Sequence, residues 1–253
     1  MQAIWNIISS TGSSDPDPLR ALPSFSGGGR TRALTVVRRA GVRGMRLSVD
    51  PRDASVRLTL GQRAPLKPAV GWALGKRDWV EAELARLPQA RPIIPDMVFD
   101  LAGIPVRIDW DPDRLRRAAL ADAVLRVGGP RDQLSARVLR YLRGYALDVL
   151  SAETHALAAA HTMTVRQVGV GDPRGRWGSC SSSGDIRYSW RLILAPAEVR
   201  RATIAHEVAH RTHMNHSRAF HDLVAELYGS DPSAARQWLR AHGTALHWFG
   251  REV

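Results

Sequence analysis

The run "HEVAH", His206-Glu207-Val208-Ala209-His210, constrains this chain more than any other feature. Residues four apart stand one above the other on a helix face. A helix here therefore carries two imidazoles able to reach one zinc ion at about 2.0–2.1 Å. Glu207 is rotated by about 100° from His206, so it misses the metal but can reach a water bound to it. That is the position of a general base in a metallohydrolase. The fold must then supply a helix at a cleft, a third ligand and an open fourth position.

The third ligand has three candidates. His213 lies on the same face one turn further on, where a straight helix carries it past the metal. His216 follows "THMN", in which Asn215 can turn the chain back before Ser217 caps the next helix. Glu226 is a carboxylate on that next helix. The three-histidine pattern favours His206, His210 and His216 around one Zn2+.

Cys180 is the only cysteine, in "GRWGSCSSSGDIRYSW". A nucleophilic thiol needs a neighbouring base, and this stretch contains no histidine. As a fourth ligand it would close the position that catalysis needs. Cys180 therefore reads as a small, mostly buried thiol, with Trp177 and Gly178 forming a tight turn. A lone cysteine also fits a reducing, cytoplasmic setting.

Around this core the chain reads as α+β. Residues 1–33 are rich in Ser, Gly and Pro and are expected to be disordered. Residues 34–112 read as a small α+β module. It has a hairpin (Met45-Leu47-Val49 and Val56-Leu58-Leu60), a helix over 70–87 with Trp72, Trp79, Val80 and Leu84 on its apolar side, and short strands near 97–101 and 104–109. Residues 113–253 read as the hydrolase domain. Its helices are expected over 130–161, 196–213, from Ser217, and from Asp231-Pro232 to a C-cap at Gly243. Strands are expected at about 163–170 and 185–190, as a small antiparallel sheet beside the active-site helix.

The 253 residues carry 36 Lys+Arg against 24 Asp+Glu, a net charge of +12, and only Lys67 and Lys76 are lysines. The excess suits a polyanionic partner such as nucleic acid, although arginine-rich composition alone gives the same number. No apolar run approaches the roughly 18 residues that cross a bilayer, and the N-terminus has no signal-peptide pattern, so no membrane role is expected.

"RWGSCSSSGDIRYSWRLILAPAEV", "HEVAHRTHMNHSRAF" and "ARQWLRAHG" together resemble the YgjP-like metal-dependent hydrolases, a zincin-like group related to SprT-like metalloproteases. The resemblance is specific over Val165–Trp248, looser over 34–160, and absent from 1–33. It implies a zincin-like domain, zinc on His206, His210 and His216, and Glu207 as the catalytic glutamate. His221 departs from it, standing where an aromatic residue is expected. His213 occupies the place of the metzincin glycine. Transition-state or substrate candidates are Arg176, Trp177, Tyr188 and His221, chosen by proximity to the signature.

The expected activity is peptide hydrolysis by metal-activated water, with an extended substrate pairing along a strand at Asp185–Trp190. Hydrolysis of a nucleotide or another small phosphorylated substrate, or a DNA-associated protease of SprT-like type, are the alternatives.

Overall fold

A computed structural model describes residues 22–252. The chain divides into two compact units, Met1–Leu87 and Pro88–Val253. The secondary structure is mixed α+β, as expected.

The first unit is one four-stranded sheet with two helices. Strands β1 (Ser24–Gly27), β2 (Arg30–Arg39), β3 (Arg46–Val49) and β4 (Val56–Gly61) lie in the order β1-β2-β4-β3. β3 and β4 form the expected hairpin, with Leu47 opposite Leu58. β2 pairs antiparallel with β1 and parallel with β4, so it joins the β1–β2 hairpin to the β3–β4 hairpin in one sheet. Disorder over 1–21 lies outside the described residues. Over 22–33 the structure differs from the expectation, because Phe25 on β1 is fully buried. The expected 70–87 helix is two: α1 (Leu66–Leu74) and α2 (Arg77–Arg86), separated at Gly75 and Lys76. Lys76 leaves helical geometry at φ −106° and ψ 18°. Val80 and Leu84 are buried, whereas Trp72 and Trp79 are exposed, so the apolar side is narrower than the sequence implied.

The second unit is built round α3 (Leu134–Ala160). Its buried positions fall at every fourth residue from Leu134 to Ala158. Four residues advance a helix by about 400°, so this row winds round α3 by about 40° per step. The helix can thereby meet partners on several sides: the strands Val124–Gly128 and Gln167–Gly171, a 3₁₀ segment at Trp190–Leu194 and the helix Ala197–Ala209. One sheet has the order β5-β6-β8-β7, from β5 (Val98–Leu101), β6 (Ile104–Asp111), β7 (Ala119–Ala121) and β8 (Val124–Gly128). Because β6 pairs with β8, the division falls after Leu87 and not at residue 112.

The second sheet is β10-β11-β9, from β9 (Gln167–Gly171), β10 (Gly178–Cys180) and β11 (Asp185–Ser189). β10 runs antiparallel to β11, and β9 runs parallel to it. β11 is thus the central strand, its edges both taken, and cannot pair with a substrate as expected. The edge facing the active helix is β10. Gly178 and Trp177, read as a tight turn, belong to this strand and its approach.

Three helices complete the unit: α4 (Ala197–Ala209), α5 (Arg218–Tyr228) and α6 (Ser233–Leu246). α4 is fixed to α3 by a bidentate pair, Arg200 Nε and Nη2 donating to Glu153 at 2.8–3.1 Å. α6 does not stop at Gly243. It runs on to Leu246, and the glycine makes room for the Trp177 ring, since a methyl on Gly243 would lie 2.7 Å from Trp177 Cζ2.

Candidate metal centre

α4 ends at Ala209 with His210 as its C-cap, about one turn earlier than the expected His213. The amides of Arg211, Thr212 and His213 turn back onto Val208 and Ala209 carbonyls. This sharp exit, followed by Ser217 capping α5 through the Phe220 amide at 3.4 Å, returns His216 to the helix it left. Arg211 holds the exit in place by donating to the carbonyls of Thr164, Ser181 and Ser182. In the sequence, the only signal of Arg211's role is its place directly after the second histidine.

His206, His210 and His216 each offer one ligand atom, and these lie within 4.8 Å of one another. His206 Nε2 and His216 Nε2 are 3.3 Å apart. Two nitrogens at about 2.0–2.1 Å from a tetrahedral ion stand about 3.3–3.4 Å apart, so the spacing fits a metal. His210 Nδ1 lies 2.9 Å from the His213 carbonyl, to which its N–H donates, leaving Nε2 as the free donor atom. His213 thus contributes its backbone, not its ring. Burial, with His210 and His216 beside it, pushes His206 down to about 4, so it is neutral at pH 7, the ligating form. Glu226 is exposed and outside this group.

Phe220 was read only as part of an apolar face. Its fully buried ring backs the whole cluster, with centroids 4.9, 4.6 and 4.8 Å from those of His206, His210 and His216. It fixes the ring orientations that no hydrogen bond fixes.

Glu207 is 4% exposed and lies under β10. A methyl built on Gly178 would stand 2.6 Å from Glu207 Cγ, so only glycine leaves room for this carboxylate. Burial pushes its carboxyl up to about 7, against the opposing pull of Arg176. It opens onto a cavity of about 270 Å3 whose lining runs from Arg176 and Trp177 to His206 and, on α5 and α6, Val224 and Leu239. Trp177 packs against His247 with centroids 5.4 Å apart and planes tilted by 40°, and forms one wall.

The remaining candidates separate. Arg176 and Trp177 line the cavity, whereas His221 is exposed and outside that lining, 6.3 Å between ring centroids from His216. Tyr188 is corrected: its side chain is fully buried, its hydroxyl 3.1 Å from Thr154 Oγ1, so it belongs to the core and not the cleft. Cys180 is half-buried, its thiol donating to the Ser181 carbonyl at 3.4 Å, and burial pushes that thiol up. Neither change activates it.

An α+β unit whose helix presents His-Glu-x-x-His beside a third histidine defines the class of HExxH metallohydrolases. The chain matches the family profile described as "YgjP-like, metallopeptidase domain" over residues 43–242. It belongs to that metallopeptidase family. Among solved structures it is similar to the crystal structure of Wss1 from Saccharomyces cerevisiae, with 21% identity, a TM-score of 0.31, and coverage of 39% of this chain and 79% of that one. No curated protein sequence matches it. No helix among the described residues is long and apolar enough to cross a membrane.

Proposed function

We propose that the chain is a zinc-dependent peptidase in which His206, His210 and His216 hold one Zn2+ and Glu207 is the general base. The observation that carries this is the convergence of three imidazole donors beside a buried carboxylate that faces a cavity. Zinc, when bound, supplies a Lewis acid that polarises a carbonyl and brings the pKa of a coordinated water near 7. Glu207 has no hydrogen-bond partner among the described residues, so its oxygens are available to take a proton and return it to the leaving amine.

The substrate is an extended polypeptide. β10 is an open edge beside α4, and an edge strand binds a chain by backbone hydrogen bonds that ignore sequence. The neighbouring cavity, walled by Trp177, Val199, Val224 and Leu239, suits one apolar side chain. Arg176 at its mouth is the group placed to meet negative charge developing on a carbonyl oxygen.

The test compares wild type with Glu207→Gln on an unfolded protein substrate, with zinc content measured on both. The variant is expected to keep one zinc and lose at least a thousandfold in turnover. A variant as active as wild type refutes the role of Glu207. Wild type purified without a tag and free of metal refutes the zinc site.

A further inference from the structure

We propose that the second unit carries a separate binding groove for single-stranded nucleic acid, formed by α3 and the segment before β7. The groove measures about 390 Å3 and lies outside the residues of the metal cleft. Four arginines line it, Arg116 and Arg117 from the segment and Arg137 and Arg140 from α3, against one carboxylate, Asp148. Arg116, Arg117 and Arg140 are exposed and make no ion pair among the described residues. Arg137 is positioned by donating to the Pro130 carbonyl and Gln133 Oε1. Such a set of unspent guanidinium groups in one concavity matches a chain of phosphates.

Two further observations favour a strand of bases over a bare anion. Tyr141 and Tyr145 line the same groove, stacked with centroids 6.2 Å apart and planes at 21°. Aromatic faces beside a basic track are how single strands are held without regard to sequence. Between them stands Gly144, in the middle of a 27-residue helix. Glycine there costs about 1 kcal/mol relative to alanine, and a Cβ on it would meet nothing within 4 Å. Packing therefore does not demand glycine at 144. Its effect is to keep the groove floor clear between the two rings.

The experiment is fluorescence anisotropy on the full chain with a labelled oligothymidylate, repeated with a poly-glutamate peptide of equal charge and with thymidine monophosphate. Wild type is expected to bind the oligonucleotide at least tenfold more tightly than either control. Gly144→Leu, which fills the floor of a helix it otherwise suits, is expected to weaken that binding at least tenfold with its melting temperature and peptidase activity retained. Gly144→Ala should bind within twofold of wild type. Arg116→Ala/Arg117→Ala, made in an exposed segment, should lower the slope of log affinity against log salt by about 1.4. The same change at Arg201 and Arg240, exposed arginines outside the groove, should leave affinity within threefold. Undetectable oligonucleotide binding at low salt overturns the proposal. So does binding no tighter than poly-glutamate or the mononucleotide, or equal binding by the groove variants and wild type.

Discussion

At the metal centre the tightest constraint on a single residue is at Gly178. Its missing side chain is the space occupied by Glu207. Gly178→Ala should therefore cut peptidase turnover at least a hundredfold while zinc stays bound, read by activity and metal content side by side. Cys180→Ser should keep activity within severalfold, since Cys180 is neither a metal-ligand candidate nor a lining residue of the cavity and a hydroxyl can replace its donation to the Ser181 carbonyl. His206 and His210 were legible because spacing on a helix is a direct geometric statement, whereas His216 rested on the three-histidine pattern. The partners that hold the three rings were not legible. Phe220 is one apolar residue among several on α5, and nothing in its spacing reveals that its ring meets all three imidazoles. Arg211 acts on carbonyls of residues 164, 181 and 182, and backbone acceptors leave no trace in a sequence. Tyr188 shows the reverse error, since closeness in sequence to the signature does not tell inward from outward on a strand.

Among elements, α4 behaves as a rigid mount. Arg200 is 5% exposed and its carboxylate partner Glu153 is on α3. Removing one partner of a buried pair leaves the other uncompensated. With Glu153 partly solvated, Arg200→Ala should cost about 2 kcal/mol in urea unfolding. The long, periodic helices were readable for the same reason as the metal site. Strands β7 and β10 have three residues each, too few for alternation to register. β2 was hidden by its arginines and by the glycine run before it. Gly243 looked like a helix stop because glycine usually is one. Here it serves a ring from another element. Gly243→Ala should thus lower the melting temperature despite a helix-propensity gain of about 1 kcal/mol, because Trp177 must move.

Across the molecule, +12 of net charge leaves few carboxylates to spare, and Asp172 is one whose pairing matters. Burial alone would push its carboxyl up. The bidentate contact with Arg191, at 2.8 and 3.0 Å, outweighs this and holds it below the ordinary carboxylate range. A carboxyl depressed in the folded state stabilises above its unfolded pKa, and that stability drains away as pH falls through the folded value. The stability gap between wild type and Asp172→Asn, measured in urea, should be constant near neutrality and close as pH drops below about 4. A gap that widened in acid would contradict this sign.

Arg191 also donates to the carbonyls of Leu246 and Phe249, and Phe249 bridges to Arg91 near the start of the same unit. Contacts between residues so far apart in sequence form late, after most of the intervening chain is arranged. During synthesis, residues 206–216 leave the ribosome before His247 does, and His247 is the platform for the Trp177 wall. A nascent chain can therefore own its three histidines without owning a finished cleft. The order of the chain itself thus delays a finished cleft until His247 has been made.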